Sequence, residues 1–200
     1  MLPLPPITLS IGIMLLANLL PLLGVLQGQW TVYELVLLYW AENLLIGLYQ
    51  LARFGAVGWL RGMPAMGVLA AFFTVHYGLF TLVHGVFVVT ISAPADNTGL
   101  AEAMAFLLSP AGLLVPLSLL AGSHGFSFVV HFLMGGEWRS AGLKELMLAP
   151  YGRVVALHLT ILLGSVLVML TGQDMAALAL LVVLKMAVEV MAHRWQHWHP

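Results

Sequence analysis

Apolar residues in this chain run in long blocks, and the breaks between them are short and rich in glycine, proline and charge. A block of about 20 such residues crosses a bilayer as a helix, because the hydrocarbon core is about 30 Å thick and a helix rises about 1.5 Å per residue. Six spans are predicted. The first covers 7–26, with Pro21 as a kink point, and ends at the polar break Gln27-Gly28-Gln29 before the interfacial Trp30. The second covers 31–53 and closes in the glycine-rich turn FGAVGWLRGM. Pro64 suits the first position of a third span over 65–91. Beyond the loop SAPADNTGLAEAM, Ser109-Pro110 opens a fourth over 110–133, in which Pro116 predicts a bend. In GGEWRSAGLKELMLAP, Leu143, Leu146 and Met147 alternate with Lys144 and Glu145 at helical spacing, which predicts a short interfacial helix. Pro150 opens a fifth span over 151–171, Gly172 closes it, and Asp174 caps a sixth over 175–193. The expected fold is an all-α polytopic membrane bundle, one domain over 1–200.

Charge tests the count independently. With loops assigned alternately to two sides, Arg53, Arg61, Arg139, Lys144, Arg153 and Arg194 fall together with both termini. The opposite side carries Asp96, Glu102 and Asp174 and no Lys or Arg. The positive-inside rule makes the basic side cytoplasmic, so the chain is expected in a bacterial cytoplasmic membrane with both ends inside.

Composition agrees with this picture. Residues are 62% hydrophobic and 8% charged, with a mean hydropathy of +1.02, whereas soluble domains carry about 25% charged residues. The expected surroundings are membrane lipid. A net charge of −1 speaks against nucleic-acid binding, which needs a basic patch. The absence of Cys excludes disulfides and thiolate ligands. The start MLPLPPITLSIG has no basic n-region, so the first span is read as retained.

The chemistry is carried by ionisable residues inside these blocks, which are costly in lipid and are by default read as functional. The stretch AFFTVHYGLFTLVHGVFVV, with His76 and His84, is the expected organiser. Counted from the cytoplasmic ends, Glu42 and His76 lie about 15 Å deep and His124 slightly deeper. His131, His158 and Glu189 fall at roughly 7 to 12 Å, with Lys185 between the layers. His124 and His131, seven residues apart, differ by about 20° around an α-helix and should share a face with Ser127. His84 is further out and should serve a different neighbour. Glycines beside these histidines, Gly78, Gly85, Gly122 and Gly125, would let helices approach closely.

Imidazole and carboxylate donors from several helices suit a divalent metal, Zn or Fe, bound by Glu42, His76, His124, His131 and His158. Glu189 is the expected catalytic base, or a further ligand. The leading expectation is therefore a metal-dependent intramembrane enzyme, most simply hydrolytic, with a metal-activated water. The alternative is a non-enzymatic membrane component whose His/Glu network is structural or relays protons. Other readings are weaker. Haem is disfavoured, because two bis-histidine haems would stack only about 10 to 12 Å apart. A serine hydrolase would rest on AGSHG, which departs from G-x-S-x-G at Ala121 and lies inside a helix. In EVMAHRWQHWHP, Glu189, His193 and His197 stand at i+4 spacing, but a Lys185–Glu189 ion pair and solvated histidines at a helix end account for them.

The segments YWAENLLIG around Glu42, FFTVHYGLFTLVHG, SHGFSFVVHF and PYGRVVALH, with the closing stretch from Glu189 to His193, together resemble a bacterial family of integral membrane proteins catalogued as domain of unknown function 6498. The resemblance implies a multi-span membrane protein and supplies no activity, substrate or ligand.

Overall fold

Thr31 starts the first long helix by a reciprocal cap: its Oγ1 accepts the Glu34 N–H at 3.2 Å, and Glu34 Oε2 accepts the Thr31 N–H at 2.7 Å. Two backbone donors that the helix leaves unpaired are thereby satisfied. The computed structural model describes residues 30–91, 99–152 and 154–155, with Leu23 and Gln27. The helix that follows the cap, α1, is Val32–Leu60. It begins where expected but continues well past Arg53, so the predicted turn at FGAVGWL is corrected. A glycine costs only about 1 kcal/mol inside a helix, and here Phe54 and Val57 are fully buried, which outweighs it. The real stop is Arg61-Gly62, with Gly62 at φ 62°, a left-handed conformation that glycine adopts freely.

Helix α2, Ala65–Ile91, returns along α1 with the predicted bounds. Helix α3, Leu100–Leu107, lies in the stretch read as a loop and buries Ala103 and Leu107, four residues apart on one face. Helix α4, Leu114–Ser127, begins later than Ser109-Pro110 predicted. Residues 109–113 instead form a turn, in which the Leu113 and Leu114 N–H groups donate to Phe106 and Ser109 carbonyls. Pro116 then sits in the first helical turn, where no intrahelical bond needs its N–H, and the reason for expecting a bend disappears. From Phe128 to Met134 the helix continues with π winding. A 3₁₀ turn, Glu137–Arg139, leads to the short helix α5, Leu143–Leu148.

Three helical stretches, Tyr33–Leu60, Ala65–Thr90 and Leu114–Met134, are long and apolar enough to cross a membrane. The expected first and sixth spans, and most of the fifth, lie outside the described residues, among which there is no strand. In its most apolar stretch α1 is 61% buried, against 22% for α2 and 11% for α4. The centre of the described fold is therefore α1 and not the histidine-bearing α2.

Two apolar clusters hold it. One joins the first turns of α1, Leu35 to Ala41, to Val88, Ala103, Leu113 and Leu120. The other joins Phe54 and Val57 to Met66, Phe73, Phe132 and Leu146. On α1 the interval between them carries the buried polar residues Glu42, Asn43 and Gln50. Polar groups thus form a waist between two apolar ends.

Candidate functional site

At that waist α1 presents Glu42, Tyr49 and Arg53 toward α4. Their spacing of seven and four residues keeps them within one stripe of a helix. Glu42 Oε1 lies 3.2 Å from His124 Nε2, and the side chains are 6% and 19% exposed. The contact joins two helices that are each long enough to span a membrane. One residue along the stripe, the Tyr49 hydroxyl donates to the Ala121 carbonyl at 2.9 Å. Gly125 makes this possible, since a Cβ there would stand 2.7 Å from the Tyr49 oxygen. The Tyr49 ring is 6.2 Å from the His124 ring and 6.1 Å from Phe128. The guanidinium of Arg53 lies over the Phe132 ring at 5.2 Å, a cation–π distance. Gln50, next to this stripe, donates through Nε2 to the Leu146 carbonyl at 2.7 Å and anchors α5.

The other candidate histidines go elsewhere. His76 is exposed, with Nδ1 2.7 Å from the Tyr151 hydroxyl, and its ring stacks on Phe72 at 5.6 Å. His131 falls in the π segment and meets Phe126 edge-on at 6.4 Å. Because π winding closes on the fifth residue, as the Gly135 N–H does on Val130 at 2.9 Å, each residue turns less than in an α-helix and register slips. The expected common face of His124 and His131 depended on uninterrupted α winding. His84 is buried, and its Nδ1–H donates to the Phe80 carbonyl one turn back at 2.8 Å. His158, Lys185, Glu189 and the C-terminal histidines lie outside the described residues.

Two of the five expected metal ligands, Glu42 and His124, therefore meet. Among the described residues no three of His, Cys, Asp or Glu come together as a metal site would require. The pair offers one carboxylate oxygen and one imidazole nitrogen. With the carboxylate ionised, Nε2 carries the proton and donates; with the carboxyl neutral, it donates to Nε2. The two forms differ by one proton moved along one hydrogen bond.

Tyr49 and Gln50 beside the pair, and Tyr151 beside His76, are partners that the ionisable residues alone did not reveal. For Tyr49 a signal existed: it stands seven residues after Glu42, on the same face of the helix, with Gln50 adjoining it.

A family model described as Family of unknown function (DUF6498) matches residues 1–200, and the chain belongs to that family. No curated protein and no solved structure matches it.

Proposed function

We infer that this member of the family is a six-span protein of the bacterial cytoplasmic membrane, both termini inside, in which Glu42 and His124 form a proton-relaying pair. The supporting observation is their 3.2 Å contact between α1 and α4, with Glu42 almost wholly buried. A buried ion pair is weak evidence for stability, since desolvation offsets most of its attraction. Amide side chains would tie the helices together with less desolvation, so an ionisable pair at this depth points to use of the proton. This favours the non-enzymatic reading. The metal reading needs a third donor beside the pair, a role for which His158 or Glu189 remain the candidates, with Zn or Fe as the ion.

Proton flux into vesicles carrying the purified protein and a trapped pH dye, driven by a potassium diffusion potential, tests this. Flux should exceed that of protein-free vesicles and fall at least tenfold in Glu42→Gln and in His124→Asn. Wild-type flux equal to that of empty vesicles defeats the relay. One equivalent of metal in tag-free protein, lost in both variants, replaces it with the metal reading.

A further inference from the structure

At the hairpin end, away from the His124–Glu42 pair, α1 and α2 border an open cleft of about 370 Å³. That is within the roughly 300 to 1,000 Å³ typical of small-molecule sites. The residues lining it, among them Leu51, Gly55, Gly58, Trp59, Pro64 and Gly67, include no polar side chain except the Trp59 indole. The cleft exists because the helices carry glycine there: a Cβ at Gly55 or Gly67 would meet nothing within 4 Å. Trp59 is 87% exposed at the rim, as suits an indole at the level of lipid headgroups.

Its end of the hairpin is joined to a second basic segment. Arg61 follows Trp59 in the turn and is exposed, with one guanidinium nitrogen donating to the Ala141 carbonyl at 2.7 Å. This bond ties the segment carrying the exposed Arg139 and Lys144 to the hairpin end. Of the acidic residues on that segment, Glu145 accepts the Gly142 N–H at 3.1 Å, and Glu137 is exposed. The balance is positive, and the planar guanidinium fork suits a phosphate.

We propose that this cleft is a binding site for an anionic phospholipid, with an acyl chain along Gly55, Gly58 and Gly67 and the phosphate on Arg61. The apolar walls match the chain and the exposed Arg61 guanidinium matches the head. The site rests on the membrane reading and is independent of the proton relay.

Native mass spectrometry of the full chain in detergent, titrated with phosphatidylglycerol and with phosphatidylcholine of the same chains, tests it. Wild type should bind one phosphatidylglycerol at least tenfold more tightly than phosphatidylcholine. Gly55→Leu/Gly67→Leu, which places side chains in open space, should weaken both lipids at least tenfold with unchanged helix content. Arg61→Gln should bring the two lipids within about twofold of each other. Equal binding of both lipids by wild type, unchanged binding in the filled variant, or displacement by millimolar inorganic phosphate would each overturn the proposal.

Discussion

Helix α1 meets its two longest neighbours by different physics. Toward α2 the contact is one of shape. A Cβ at Gly85 would stand 2.6 Å from the Trp40 ring, and one at Gly47 would stand 2.8 Å from the Tyr77 ring. These aromatic residues also donate to backbone across the hairpin, Trp40 Nε1–H to Thr81 at 2.8 Å and the Tyr77 hydroxyl to Asn43 at 2.9 Å. Toward α4 the apolar contacts at Leu120 and Phe132 are joined by Glu42, Tyr49 and Arg53. Lipid tails are as apolar as leucine, so helices in a bilayer associate through close packing and hydrogen bonds; α1 uses both toward each neighbour, and toward α4 it adds a carboxylate–imidazole pair. A shape contact does not respond to protonation, whereas a carboxylate–imidazole contact does. The hairpin is thus a frame, and α4 is the element whose attachment a proton can alter.

The largest expected effect breaks the frame. Gly85→Leu cannot fit against Trp40, and the indole must leave both the glycine and the Thr81 carbonyl. Overpacking of this kind costs about 3 kcal/mol. Unfolding in mixed micelles by increasing sodium dodecyl sulfate measures it, and a variant as stable as wild type would refute the interlock. The α4 side should respond less. A double-mutant cycle of Glu42→Ala and His124→Ala should give a coupling of about 1.5 kcal/mol, near the upper end for polar contacts in membranes. Additive effects in that cycle would mean the two groups do not interact. Tyr77→Phe separates shape from hydrogen bonding on the α2 side: it keeps the ring against Gly47, loses the hydroxyl and its bond to the Asn43 carbonyl, and should cost about 1 kcal/mol by the same assay.

How much of this was legible follows from what each prediction depended on. The meeting of Glu42 and His124 was anticipated from depth alone, although the count for Glu42 started at Arg53 and α1 runs on to Leu60. The pairing of His76 was not, because its partner Tyr151 belongs to a stretch read as the start of another span, and a phenol in an apolar block carries no ionisable signal. The π winding at Phe128–Met134 was invisible to a reading that assumes 3.6 residues per turn, and the face expected to hold both His124 and His131 rested on that assumption. The extension of α1 to Leu60 was missed for a related reason. Glycine frequency marks turns in general, but Gly58 is a helical packing residue whose Cβ would stand 3.1 Å from that of Met66.

The glycines beside the histidines give the smallest prediction and the sharpest one for the comparison. All four looked alike in sequence, yet Gly85 and Gly125 each face an aromatic side chain while Gly78 and Gly122 have nothing within 4 Å of an added Cβ. Gly78 lies seven residues before Gly85 on the same helix, but its surroundings are open and its position is exposed. Adding a methyl group there removes backbone freedom from the unfolded chain and meets no neighbour, so Gly78→Ala should stabilise by about 0.5 kcal/mol. The same substitution at Gly85 should destabilise, because the collision with Trp40 exceeds the gain in helix propensity. If Gly78→Ala destabilises in the micelle assay, the open face of α2 is covered in the folded protein and the frame extends beyond the contact with α1. Opposite signs at two glycines of one helix would establish that shape at Trp40, and not helix propensity, sets the hairpin.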